Sequence, residues 1–118
     1  MLYENMRTFP SQLNPSNLSL LREFRRNRQL CYLRRHVYEA MLSPSFSIPD
    51  NCGINLQNVN MGGLPGSGYN VDQEMVDQIC FELGERGFET NRSYGGTVLF
   101  VYTPGSAPRE AVTCSGFD

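Results

Sequence analysis

Between Asn70 and Thr103 the chain carries a helix, a stop and a hairpin in immediate succession, and this stretch restricts the fold more than any other. Met75, Val76, Ile79, Cys80 and Leu83 recur at three- and four-residue intervals, which places them on one face of a helix over 71–86. Asn70 followed three residues later by Gln73 makes a capping-box pattern at its start. At its end Gly87 is free to adopt the left-handed conformation, with Leu83 and Phe88 placed for the apolar contact of a Schellman motif. Runs 88–94 and 97–103 then flank Gly95-Gly96, and a two-residue Gly-Gly loop joins antiparallel strands because both positions accept positive φ. The second run, Val98-Leu99-Phe100-Val101-Tyr102, is apolar on both faces and is the expected central strand.

Upstream, Asn17 or Ser19 can cap a long helix running to about Met41, ended by Ser43-Pro44. Its apolar positions form two sets, Leu20, Leu21, Phe24 and Cys31, then Leu30, Leu33, Val37 and Met41. The stripe shifts around Arg25-Arg26-Asn27-Arg28, further than one straight helix face allows, so either the helix kinks or its two ends face different partners. After a loop holding Pro49, Asp50, Asn51 and Gly53, the alternation Ile54-Asn55-Leu56-Gln57 predicts a short strand, 54–58, as the other neighbour of the central one. The expected fold is α+β: a long N-terminal helix, a short strand, a second helix, then a hairpin completing a small, mainly antiparallel three-stranded sheet. Residues 1–18, broken by Pro10 and Pro15, form an extended arm; 19–103 form the domain, with a glycine-rich connection at 62–68; 104–118 form an irregular tail.

A chain of 118 residues buries about two-thirds of its unfolded surface, enough for one core. Hydrophobic content of 40% and charged content of 19% exclude a disordered or fibrous chain. The longest apolar run is five residues, against roughly twenty for a membrane-spanning helix. The first residues show no basic segment followed by an apolar stretch, which sets the expectation of an intracellular origin. Cys31 and Cys80 fall on apolar helical faces and read as core residues, whereas Cys52 and Cys114 lie in loop or tail, positions that allow exposed thiols. Spacing leaves a disulfide, within the chain or between copies, open.

No catalytic constellation, cofactor or metal site is expected. His36, the single histidine, follows Arg34-Arg35 on a helix with no nucleophile or carboxylate at catalytic spacing, and reads as a solvated or partner-facing position. The glycines before Asn70 lack the Lys-Ser/Thr pair of a P-loop, and Asp72 and Glu74 occupy the first helical turn where an anion would sit. Asp72, Glu74, Asp77, Glu82 and Glu85 read as one solvated helix face. Charge is divided unevenly. Residues 1–43 hold seven Arg and three acids, net +4, and residues 44–118 hold three Arg and nine acids, net -6. All ten basic residues are Arg, whose planar fork suits bidentate pairing with carboxylates. Arg22, Arg25, Arg26, Arg28, Arg34 and Arg35 lie within fourteen residues, with Phe24 and Tyr32 among them. Such a strip can neutralise phosphates, but the five acids of the second helix oppose its insertion beside nucleic acid. Pairing with acids of this chain or of a neighbouring copy is the preferred expectation.

The stretch Glu82-Leu83-Gly84-Glu85-Arg86-Gly87-Phe88-Glu89-Thr90 followed by Thr97-Val98-Leu99-Phe100-Val101 resembles a helix–strand unit of small virion-associated proteins of large icosahedral double-stranded DNA viruses and some tailed phages. The resemblance spans about 30–103 at the level of element order and implies a minor capsid type of structural protein, located in the virion and assembled in the host cell interior. It implies no catalytic residue. The expected partners are other protein subunits, copies of this chain and a major capsid protein among them, with Leu2, Tyr3, Phe9 and the six arginines as contacts. The alternative is a small nucleic-acid-associated or regulatory adapter of a virus or phage.

Overall fold

The computed structural model describes residues 15–57, 59, 71–106 and 112–114. Leu2, Tyr3 and Phe9 of the expected arm, the glycine-rich connection 62–68 and the expected cap Asn70 lie outside the described residues. Helix α1 (Pro15–Leu42) precedes strand β1 (Gly53–Asn55), helix α2 (Gln73–Glu85), strand β2 (Glu89–Arg92) and strand β3 (Val98–Tyr102). The sheet order is β1-β3-β2 with both pairings antiparallel, so the all-apolar strand is central, as its composition predicts. This is the α+β arrangement anticipated above.

Helix α1 begins earlier than an Asn17 or Ser19 cap implies. Proline suits a first helical turn, since it lacks an N–H that would go unpaired there and its φ is already helical. Residues 15–18 therefore belong to the helix and not to the arm. The helix runs uninterrupted through Arg25-Arg26-Asn27-Arg28; of the first stripe Leu20 and Phe24 are exposed, Leu21 is partly buried and Cys31 alone is buried. Leu33, Val37 and Met41, with Leu30 beside them, enter the main core, while Cys31 and Tyr32 form a second cluster with Cys114 and Val112 from the tail. Among the described residues, every buried α1 side chain lies at or beyond Cys31.

The expected 71–86 helix is shorter at both ends, and its cap is Asp72, whose carboxylate accepts from the Glu74 N–H at 2.9 Å. Asp next to the first turn both satisfies an orphan donor and faces the positive end of the helix dipole. The stop is the one expected. Gly87 takes φ of +88°, the Phe88 N–H donates to the Leu83 carbonyl and the Gly87 N–H to that of Gly84, each at 3.0 Å, the bond pair of a Schellman motif. The hairpin loop is longer than the two glycines suggested. The Ser93 N–H donates to the Val98 carbonyl at 2.9 Å, which leaves four residues, Tyr94 to Thr97, to make the turn, with Gly95 and Gly96 both at positive φ. The Ser93 hydroxyl accepts from the Val98 N–H at 3.0 Å, so pairing stops there.

Both helices cover one face of the sheet, presented by Ile54, Leu99 and Val101, with Met75, Val76, Ile79 and Leu83 arriving from α2. Leu33, Ile79, Leu83 and Leu99 are fully buried, each contributing about 1.5–3 kcal/mol relative to exposure. The other sheet face carries Val98, Phe100 and Tyr102, partly open to solvent.

The structure decides among the cysteine alternatives. Cys114 is buried and bonded to Cys31, with Cα atoms 5.9 Å apart, and Cys52 is buried too, so neither is an exposed thiol. The reason is tertiary: the tail returns across α1, and Cys52 enters the interior beside β1, its carbonyl accepting from the Val101 N–H at 3.0 Å. The bond spans 83 residues, and closing a loop of that length stabilises a fold by roughly 4–5 kcal/mol in the chain-entropy model. In denaturant without reductant, two thiols, Cys52 and Cys80, should react with a thiol reagent, and all four cysteines after reduction. Reaction of all four without reductant would show the bond absent. The reduced chain should also melt at a lower temperature.

Candidate interaction surface

The arginine strip does not form one face. Arg34 turns inward and grips Glu82 of α2 with both arms, Nε to Oε1 at 2.7 Å and the terminal nitrogen to Oε2 at 2.8 Å. The Tyr38 hydroxyl donates to the same carboxylate at 3.3 Å, and Arg86 donates to that hydroxyl while its guanidinium sits 5.0 Å above the Tyr38 ring. Four side chains thus link the two helices edge to edge. Burial pushes the Glu82 carboxyl up, but the hydrogen bond and charge of Arg34, with help from Gln78 and Tyr38, outweigh it and hold the group below its ordinary value. The hydrogen bond to Glu82 raises Arg34 further, and burial followed by the Glu82 charge raises the Tyr38 phenol. The assignment of Glu82 to a solvated face is corrected here: the position recurs on the polar side of α2, but α1 packs beside it and supplies a partner.

The remaining arginines divide. Arg26 reaches Asp72 at 3.8 Å and Glu74 at 3.4 Å across exposed surface, contacts that add little stability. Arg35 lies 5.1 Å over the Tyr32 ring. The Nε of Arg28 is buried with no hydrogen-bond partner among the described residues. Arg22 and Arg25 are exposed and form no ion pair among the described residues. Of the six arginines proposed as contacts, Arg26 and Arg34 are thus engaged by acids of α2, and Arg22 and Arg25 are presented outward beside the exposed Leu18 and Leu20.

His36 is half-buried and its Nε2 donates to the Asn55 carbonyl at 2.7 Å, which ties α1 to the end of β1. Among the described residues no group of three His, Cys, Asp or Glu side chains is placed to hold a metal ion. No helix among them is long and apolar enough to cross a membrane.

Sequence reading passed over several exposed aromatics. Phe81 stands 62% exposed on α2, on the face opposite its apolar stripe, and Tyr94 projects fully from the hairpin tip. On the open sheet face Phe100 and Tyr102 stack with ring centres 6.1 Å apart. Gly53 leaves room for this, since a Cβ there would stand 3.3 Å from the Phe100 ring. An aromatic outside the helical period, such as Phe81, was the available signal. Asp77 is likewise engaged: Arg92 of β2 donates to it and, at 3.1 Å, to the Gln73 side chain, closing α2 onto the hairpin.

The chain matches no family model, no curated protein and no solved structure.

The Glu82 site makes a pH prediction. A carboxyl held below its ordinary value in the fold stabilises at pH above the ordinary carboxylate range, and that stabilisation disappears as pH falls through the folded value. Glu82→Gln, which leaves Arg34 half-buried without its counter-charge, should cost about 2 kcal/mol near neutrality by urea unfolding. The difference from wild type should shrink in acid. A difference unchanged with pH would show that packing, not charge, is what Glu82 contributes.

Proposed function

We propose that this protein is a structural, protein–protein interaction component of the minor capsid or virion assembly type. The observation that carries the reading is the first half of α1. From Leu18 to Asn27 no side chain is buried among the described residues, yet the segment displays Leu18, Leu20, Arg22 and Arg25. Helices derive most of their stability from packing an apolar face, so a helix carried about ten residues past its own core, with leucines outward, is suited to a surface supplied by a neighbour. The opposite charges of residues 1–43 and 44–118 favour contact between copies. The virion location draws on the element-order resemblance of 30–103. In that setting the Cys31–Cys114 bond would close after release from the reducing cell interior.

The second reading, a nucleic-acid-associated adapter, draws on the same Arg22 and Arg25. The engagement of Arg26 and Arg34 by Asp72, Glu74 and Glu82 removes two of its six candidate phosphate contacts. Sedimentation velocity of the full chain should show mass rising with concentration in the absence of nucleic acid. Deleting residues 1–14 together with Arg22→Ala and Arg25→Ala should abolish the rise. A chain that stays monomeric and binds duplex DNA with strong salt dependence would overturn the assembly reading in favour of the adapter.

A further inference from the structure

Leu18, Leu21, Arg22 and Arg25 stand at positions i, i+3, i+4 and i+7 of α1 and therefore share one face of its projecting half. Leu18 is 44% exposed, and both arginines are open to solvent. Along this face the two leucines, Leu21 partly buried, precede the two arginines. Pairing it with itself would gather four arginines into one contact with no acid among the positions that meet, and like charges brought together at an interface are disfavoured. Its complement must be a surface with an apolar side chain and acids.

The chain itself carries such a surface. Glu74, Gln78, Phe81 and Glu85 stand at i, i+4, i+7 and i+11 of α2, on the side turned away from Met75, Val76, Ile79 and Leu83. Phe81 is the most exposed apolar side chain of either helix among the described residues. Glu85 forms no ion pair among the described residues, and Glu74 meets Arg26 through a side chain still 76% exposed. Contact between α1 arginines and α2 acids already occurs inside the chain, where Arg26 meets Asp72 and Glu74.

We propose that the N-terminal half of α1 from one copy docks head to tail on the outward face of α2 in a second copy. Phe81 seats between Leu18 and Leu21, and Arg22 and Arg25 face Glu74 and Glu85. This deepens the assembly reading and rests on it. The two faces are different patches of one molecule, so the contact is heterologous and repeats into a ring or an open chain, not a closed two-fold dimer. A contact between two short helical faces lies at the small end of specific interfaces. Association is accordingly weak, and salt weakens it further.

The test uses the full-length chain in three forms: wild type, Arg22→Glu with Arg25→Glu, and Glu85→Arg. All three sites are exposed, and circular dichroism of each variant checks that it retains the fold. By sedimentation velocity at low salt, each variant alone should associate about tenfold more weakly than wild type. An equimolar mixture of the two should recover most of the wild-type association, because reversed α1 edges meet reversed α2 edges. Phe81→Ser should weaken association to a similar extent while leaving its salt dependence in place. If wild type associates but the charge variants associate equally well, or their mixture recovers nothing, the head-to-tail contact is wrong while the assembly reading stands. If wild type stays monomeric at every concentration and salt, the contact is wrong and self-assembly fails with it.

Discussion

Three strands of three to five residues bury a single face, and that face, Ile54, Leu99 and Val101, leaves water only by taking up α1 and α2 together. Each helix must therefore be held at a fixed azimuth above the strands, and polar locks supply this: Arg34 on Glu82 between the helices, Arg92 on Asp77 between α2 and the hairpin, and His36 on the Asn55 carbonyl between α1 and β1. The half-buried Arg34–Glu82 pair is satisfied at both carboxylate oxygens, which is the condition under which a partly buried pair is tolerated. The all-arginine composition fits this use, since a lysine could not span both oxygens.

Much of the architecture was legible because it is coded locally. Gly87 and the apolar period of α2 fixed the end of that helix, and the Gly-Gly step with the apolar run after it fixed the hairpin and the central strand. Boundaries slipped where two local signals competed. Asp72 and Asn70 are both competent caps, and the nearer one starts the helix; the hairpin strands are shorter than the runs 88–94 and 97–103 because the Ser93 hydroxyl takes the Val98 N–H.

The surface was less legible, for a physical reason. Whether an arginine is a contact or an internal brace depends on what lies across from it, and partners such as Arg34 and Glu82 are 48 residues apart. The pairing of Cys31 with Cys114 was hidden in the same way, since spacing along the chain carries no information on which loop returns to which helix. The drift of the α1 stripe was the one long-range feature visible beforehand. It marks the place before which no α1 side chain among the described residues is buried and after which the helix meets both the tail and the main core.

The Cys31–Cys114 link turns residues 31–114 into a covalent loop, and every buried side chain among the described residues belongs to it. The projecting half of α1 stands outside that loop like a handle. A pull on the handle enters at Cys31 and can pass through sulfur to the tail without crossing the packed interior. Tension applied between the handle and the tail would thus bypass the hydrophobic layers, and strength under it would be set by covalent bonds instead of side-chain packing.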